Sequence, residues 1–173
     1  MRRLVPFLLP LLLATPAWAR GQSLGLSVAP LGAFLLTGSS KGRVAGYAAE
    51  VGWSYRREDA LAEVAGHVAS SQVLTTATPL VVRFTPFRDS TFRPYVGLGA
   101  SLLVPHTQAM THAPTSSGLL VGAELSGGVG VELGRGFFLS TEARYQSFST
   151  EGDPLSRERQ ELSSAFFGMG VHL

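Results

Sequence analysis

The chain has 173 residues, with 14 basic and 12 acidic side chains and no cysteine, and only 15% of it is charged, against about 25% in ordinary soluble domains. Without Arg2 and Arg3 the balance is 12 basic against 12 acidic residues, so net charge gives no argument for nucleic-acid binding. No disulfide can form. After the amino-terminal apolar run no segment holds 18 uninterrupted apolar residues, which excludes a helical membrane protein.

The amino terminus has the three parts of a secretory signal. Arg2 and Arg3 supply the positive end, residues 4–13 the apolar run, and Ala17-Trp18-Ala19 a small-x-small cleavage site. The run is shorter than the about 20 residues of a spanning helix. We therefore expect a signal peptide at 1–19 and a single mature domain at 20–173 that begins at Arg20.

The rest of the chain divides into segments with strand-like alternation, separated by turn residues. The eight predicted strands are 23–36, 43–55, 60–70, 76–86, 93–104, 118–133, 137–148 and 161–173. In the last four, one parity is large and apolar, as at Val96, Leu98 and Leu102, while the other is mostly Gly, Ser, Glu or Arg. A period of two indicates β-strands with one apolar and one polar face. Repeated after an export signal, it is typical of a transmembrane β-barrel.

Charged residues within the strands fall on the polar parity. We predict that seven polar side chains form a luminal charge network: Glu50, Glu63, His67, Arg83, Glu124, Glu142 and Arg144. A hairpin at 134–136 would set Glu124 opposite Gln146 and diagonal to Arg144. Paired in a narrow lumen, these charges form a plug, because isolated buried charges would be costly. The alternative is a narrow, cation-preferring channel, since Glu outnumbers Arg.

Alternation alone leaves open which face meets water, because a soluble barrel would place its apolar parity inside. The polar parity here is rich in Gly, Ala and Ser and has no lysine in mid-strand. Water-facing strands are usually richer in charge, whereas small residues suit the crowded interior of a narrow barrel. The sequence therefore favours an apolar face toward lipid over a soluble periplasmic carrier.

The connections predict the orientation of the barrel. Those at 57–59, 87–92 and 134–136 are short, whereas those around 70–75, 105–117 and 149–160 are longer, with 37–42 as the exception. Short turns are periplasmic in outer-membrane barrels, so both termini should lie on the periplasmic side. Four aromatic residues of the apolar parity lie near the same strand ends and predict an interfacial girdle: Trp53, Tyr55, Phe84 and Phe137.

Four segments carry a resemblance to a known family. They are Phe92-Arg93-Pro94-Tyr95-Val96-Gly97-Leu98-Gly99, Gly128-Val129-Gly130-Val131-Glu132-Leu133, Thr141-Glu142-Ala143-Arg144-Tyr145 and Phe166-Phe167-Gly168-Met169-Gly170-Val171. In order and spacing, over about 76–173, they resemble the small outer-membrane β-barrel proteins of the OmpA/OmpX type. The resemblance implies an all-β, eight-stranded antiparallel up-and-down barrel in the outer membrane of a Gram-negative bacterium. It also implies recognition of the last strand by the barrel-assembly machinery, although this chain ends in Leu173 where family members usually have an aromatic residue.

No catalytic constellation follows from the residues. Some barrels of this size modify lipid A through a His and a Ser on the lipid-facing surface, but His67 and Ser70 are three residues apart and so lie on opposite strand faces. His106 and His112 have no further ligand nearby, so we expect no metal and no cofactor. We predict a non-enzymatic monomer, surrounded by outer-membrane lipid and lipopolysaccharide, with a structural, adhesive or loop-presenting role. The alternatives are a narrow porin-like channel and, further off, a lipid-modifying enzyme.

Overall fold

The computed structural model describes residues 22–38, 43–57, 60–87, 90–106, 118–149 and 159–173. The predicted signal segment and most of the two longest connections lie outside these ranges. Eight strands follow in chain order: β1 Gln22–Gly38, β2 Arg43–Arg57, β3 Ala62–Ser70, β4 Leu74–Phe84, β5 Phe92–Pro105, β6 Leu120–Gly134, β7 Phe137–Ser149 and β8 Arg159–His172. Among the residues described, no helix has the length and apolarity needed to cross a membrane.

The strands form one closed barrel in sequence order. Each pairs antiparallel with the next, and β1 pairs with β8 to close the cylinder. Because closure leaves no unpaired strand edge, the backbone polar groups of the wall can bond to one another. The prediction of an all-β, eight-stranded up-and-down barrel is confirmed.

Strand ends differ from the predicted ones by two residues in seven places: β1, β2, β4 and β8 each extend further at one end, whereas β3 and β6 start later and β4 ends earlier. β4 starts at Leu74 rather than 76, because its first residues pair with the end of β5, as Thr75 does with Val104. β1 extends to Gly38 and β8 starts at Arg159, since these ends pair with neighbouring strands beyond the clear alternation. The sequence predicts a strand end where the alternation ends, whereas the hydrogen bonds between strands continue as long as a partner strand is present.

The apolar parity faces outward all round the barrel. Leu98 is 67% exposed, Val121 59% and Phe167 55%, whereas Glu124, on the opposite parity of β6, is 1% exposed. A soluble barrel would show the reverse arrangement. The exterior is therefore the apolar surface of this molecule, and its interior holds the charges.

The two barrel ends differ in their connections. We call the end with the β2–β3, β4–β5 and β6–β7 connections the turn end; these have four, seven and two residues. The opposite, loop end has connections of four, three, fourteen and nine residues. The β6–β7 turn is the tightest, and Gly134, Arg135 and Gly136 all have positive φ, which glycine adopts at no steric cost.

One predicted loop is instead a tight turn. The β3–β4 connection was expected among the longer ones, but it spans only 71–73. The Ser71 hydroxyl accepts bonds from the backbone amides of Val73 and Leu74 and donates to the Leu74 carbonyl at 2.9 Å. A serine side chain that bonds nearby backbone in this way closes a turn locally. The long connections of the loop end are thus β5–β6 and β7–β8.

Candidate functional site

The lumen brings together the chemistry-bearing side chains of six strands. All seven predicted luminal residues are on inward positions, and each contacts at least one other polar group of the lumen. From the loop end to the turn end, the filling divides into an apolar seal, a cluster around Glu124, a network around Arg144 and a water-accessible vestibule.

The cluster around Glu124 places a buried carboxylate among hydroxyl, amide and imidazole groups. Four groups bond to its Oε2: Thr78 Oγ1 at 2.6 Å, Gln146 Nε2 at 2.7 Å, Ser101 Oγ at 3.1 Å and His67 Nε2 at 3.1 Å. We call these five residues the Glu124 cluster. Gln146 lies directly opposite Glu124 in the β6–β7 ladder, which confirms the predicted register. Such bonds offset the desolvation of a carboxylate that is 1% exposed.

A second set of residues surrounds Arg144. Its guanidinium bonds to both carboxylate oxygens of Glu50, with 2.8 Å from Nη2 to Oε1, and its Nε donates to Glu142 at 2.9 Å. Arg83 Nη2 donates to the other Glu142 oxygen at 2.6 Å and its Nη1 to Glu63 at 3.4 Å. We call Glu50, Glu63, Arg83, Tyr95, Glu142 and Arg144 the arginine network. Because Arg144 alone satisfies two carboxylates in a bidentate and a single contact, it holds β2 and β7 across the lumen.

Two aromatic side chains of this region were missed by the sequence reasoning. The Tyr95 hydroxyl donates to Glu142 at 2.7 Å and its ring lies 4.7 Å from the Arg83 guanidinium. The Phe166 ring lies 4.8 Å from the guanidinium of Arg144. Guanidinium groups favour the faces of aromatic rings. Both residues stand on the polar parity among glycines, so the sequence did place them in the lumen. The sequence reasoning overlooked them because it assigned small residues to that parity.

The apolar seal is the second feature that the sequence did not predict. Its members are inward, apolar and buried to 6% exposure or less: Phe34, Leu36, Leu74, Leu103, Leu120, Phe148 and Leu162. They lie near the loop ends of their strands, where the inward positions become large and apolar. A packed apolar layer opposes the passage of water and ions. The described part of the lumen thus contains an apolar layer as well as ion pairs.

A cavity of about 80 Å³ occupies the turn half of the lumen. We call it the vestibule. At its turn end Arg93 Nη1 donates to Glu132 at 2.5 Å, and His172 Nε2 lies 3.1 Å from the same carboxylate oxygen. The His172 ring stacks on Phe138, with centroids 4.6 Å apart. The space exists because inward positions of β1, β2 and β8 carry Gly and Ser, and it ends at the arginine network.

The four aromatic residues of the predicted girdle lie on the exterior near the turn end. Phe137 is 55% exposed, Phe84 48% and Trp53 38%, and Tyr55 is half-buried beside them. The Trp53 ring covers Gly66 of the neighbouring strand, where a β-carbon would lie 2.6 Å from Trp53 Nε1. Their placement fits an interfacial belt, whose function remains a prediction.

The residues considered for lipid modification lie in different environments. His67 is buried in the Glu124 cluster, while Ser70 is exposed on the outer face and bonds to Thr75 at 3.0 Å. His106 Nε2 lies 3.1 Å from Thr75 Oγ1, and His112 lies outside the described residues. Within those residues, no group of three or more His, Cys, Asp or Glu side chains could hold a metal ion.

A closed eight-stranded antiparallel barrel with an apolar outer face and an ion-paired lumen defines the architecture of a small transmembrane β-barrel. Solved outer-membrane barrels share this fold. The protein is similar to the outer membrane protein OprG from Pseudomonas aeruginosa, with TM-score 0.59 and 11% identity over 88% of this chain and 96% of that one. It is similar to Neisserial surface protein A, with TM-score 0.57 and 17% identity over 87% and 96%.

A third similar structure is Ail, the attachment invasion locus protein of Yersinia pestis, with TM-score 0.51 and 11% identity over 90% of this chain and 100% of that one. At such identities these likenesses establish the fold alone. No protein-family model matches the sequence. No curated protein matches it either.

Proposed function

We propose that this protein is an exported, non-enzymatic barrel of the Gram-negative outer membrane, with its apolar wall in contact with lipid and its loop end outside the cell. The exposed aliphatic band supports this placement, because such a surface would be unfavourable in water and suits acyl chains. The shared fold of OprG, Neisserial surface protein A and Ail supports it too. The signal peptide, the monomeric state and delivery by the barrel-assembly machinery through β8 are parts of the same proposal.

The function we favour is a closed scaffold that stabilises the envelope and presents its external loops. One observation carries it: the lumen contains two successive obstructions, the arginine network and the apolar seal. Each obstruction joins side chains from several strands around the bore, which argues against a continuous aqueous route. Recognition then belongs to the loops around 105–117 and 149–160, because loops vary while a scaffold stays fixed.

An adhesive role for those loops has one specific support. Ail, an attachment invasion locus protein, was also solved in complex with the heparin analogue sucrose octasulfate. By analogy of fold, a surface ligand of the present barrel would be sought at its loop end.

The closed-scaffold proposal is tested by two measurements on protein refolded into vesicles. An unboiled sample should migrate faster than a boiled one in gel electrophoresis, because a closed barrel resists detergent, and the same protein should show no conductance steps in planar bilayers. Absence of the gel shift in refolded protein contradicts the barrel in lipid. Regular conductance steps in wild type contradict the closed lumen.

The second candidate is a narrow channel, and the vestibule favours it. The cavity is already lined by Glu63, Arg93 and Glu132, and the arginine network, the Glu124 cluster and the apolar seal separate it from the loop end. Under this alternative the wild type conducts and prefers cations, Arg144→Ala raises that conductance because it removes a positive charge from the bore, and Glu124→Ala lowers the preference for cations. Silence of wild type and of both variants supports the plug.

The non-enzymatic assignment has its own test. Mass spectrometry of lipid A from cells with and without the protein should give identical acylation and phosphorylation patterns. The burial of His67 away from the lipid face supports this expectation, since a base acting on lipid A must reach it. A mass change that depends on the protein would assign an enzyme instead.

A further inference from the structure

One sector of the barrel exterior departs from the apolar wall near the loop end. A single ladder row across β2, β1, β8 and β7 joins Arg43 to Thr37, Thr37 to Glu161 and Glu161 to Ser147. All four residues belong to the outward parity of their strands. Arg159, exposed, follows one outward position beyond Glu161. We call these five residues the polar rim.

The polar rim is internally ordered. Thr37 Oγ1 donates to the Glu161 carbonyl at 3.4 Å, and Tyr145, one row below, pairs with Ser163, the next outward residue of β8 after Glu161. Two arginines and one glutamate give the rim a formal charge of +1. Arg43 and Arg159 stand on either side of Glu161 in the rim.

The opposite wall has no such feature. Among its described residues, the outward positions near the loop end of β3 to β6 are uncharged: Val68, Ser70, Thr75, Ala77, Leu102, Val104, Leu119 and Val121. The charge is therefore confined to one side. A molecule bound on that side of the barrel would account for such an asymmetry.

Below the polar rim the same sector contains a shallow trough. A ladder row joins Tyr47 to Ala33, Ala33 to Ala165, Ala165 to Ala143 and Ala143 to Gly127. The flanking rows carry large exposed side chains, Leu35 and Tyr145 above and Leu31 and Phe167 below. Small residues between large ones leave a furrow in the wall, and hydrocarbon chains fill such a furrow with favourable contact.

From these two features we propose that the sector formed by β7, β8, β1 and β2 binds one phosphorylated, multiply acylated glycolipid of the lipid A type. Its phosphates would lie against Arg43 and Arg159, its sugar hydroxyls on the Ser, Thr and Glu groups of the rim, and an acyl chain in the trough. Arginine is suited to phosphate because its planar fork donates two parallel bonds. The inference rests on the proposed membrane placement, which puts the polar rim in the outer leaflet.

The test uses the full folded protein in maltoside micelles, titrated with bis-phosphorylated hexa-acylated lipid A and followed by native mass spectrometry. Wild type should bind one lipid saturably, and Arg43→Gln with Arg159→Gln should weaken binding by about ten-fold or more. Arg57→Gln, an exposed arginine of β2 at the turn end, should stay within about two-fold. Dephosphorylated lipid A should bind the wild type about as weakly as bis-phosphorylated lipid A binds the double variant.

The trough has a separate pair of variants. Ala165→Leu fills the furrow and should weaken lipid A binding, whereas Ala100→Leu, an exposed alanine on β5 in the opposite wall, should not. Gel-shift behaviour confirms that each variant is folded.

Three results would overturn the inference: unchanged affinity in the double arginine variant, equal competition by dioleoylphosphatidylglycerol, or equal effects of the two leucine variants. If the barrel inserts normally and any of these occurs, the glycolipid site fails and the proposed function stands. If instead Arg57→Gln abolishes binding and the rim variant does not, the assumed orientation is wrong.

Discussion

At the residue scale, the energetics of the lumen depend on charges that are largely buried. Glu50 and Glu142 both receive bonds from Arg144, and all three are 9% exposed or less. A buried pair contributes little net stability, yet removing one partner leaves an uncompensated charge in low dielectric. Replacing the whole network by neutral groups would therefore change stability little, whereas removing a single member would be strongly destabilising.

Arg144→Met should lower the free energy of unfolding by about 3–5 kcal/mol, because it strands the carboxylate of Glu50 and removes one of the three donors to Glu142. Urea unfolding in phosphatidylcholine vesicles, followed by tryptophan fluorescence, measures it. Arg43→Met removes an exposed arginine and should change the value by roughly 0.5 kcal/mol or less. A triple variant with Glu50→Gln and Glu142→Gln should recover part of the loss, and no recovery would show that charge is not the cause.

Gly66→Ala tests the close packing of Gly66 in β3 against Trp53 of β2 and Pro79 of β4. A methyl group at this position would lie 2.8 Å from the Pro79 carbonyl oxygen and 2.6 Å from Trp53 Nε1. Because the carbonyl cannot rotate away, we expect a loss of about 1–3 kcal/mol in urea unfolding. Gly127→Ala is the matched control, since its nearest neighbour is 3.8 Å away; equal losses in the two variants would contradict the steric account.

At the element scale, β7 carries both kinds of environment on one strand. Phe148, at its loop end, is fully buried in the apolar seal, while Phe137, at its turn end, is 55% exposed on the outer wall. One strand therefore joins a lumen packed like a protein core to an exterior suited to lipid. The strand's inward positions change from polar to apolar between Gln146 and Phe148, which sets where the seal begins.

Phe148→Ala should destabilise the barrel by about 3–5 kcal/mol, because it opens a cavity among packed side chains that cannot fully collapse. Phe137→Ala, on the same strand, should lose less than about 2 kcal/mol, since an interfacial side chain gives up only part of its apolar burial. Vesicle unfolding measures both. A larger loss at Phe137 would mean that the outward face, and not the seal, supplies the packing.

At the scale of the whole molecule, closure and the unequal ends determine orientation. The chain contains no cysteine, so single introduced thiols report the side of the membrane without background. We expect Thr111→Cys, in the 105–117 connection, to react with an impermeant maleimide on intact cells. Arg135→Cys, in the tight β6–β7 turn, should react only after the outer membrane is permeabilised, because short turns face the periplasm.

Labelling of Arg135→Cys alone on intact cells would reverse the assigned orientation. It would also place the polar rim in the inner leaflet, where lipid A is not expected. Labelling of both positions without permeabilisation would show that the cells are leaky, and permeabilised cells lacking the protein provide the background. The two sites thus test topology independently of any ligand.

The sequence by itself determined the wall of the barrel. Alternation with a period of two decides which side chains share a face, and this depends only on local backbone geometry. The eight strands, the outward position of Leu98 and Phe167, the inward position of all seven luminal polar residues and the pairing of Glu124 with Gln146 followed from that pattern and one tight turn.

Only the tertiary structure decided what fills the lumen and which partners the charges take. Arg144 bonds to Glu50, 94 residues away in sequence, and the seal collects Phe34, Leu103 and Phe148 from three separate strands. Such contacts depend on shear and closure, which place distant strands opposite one another across the bore. The place of a residue in the alternation determines whether its side chain points inward, whereas its contacts in the lumen depend on all the other strands.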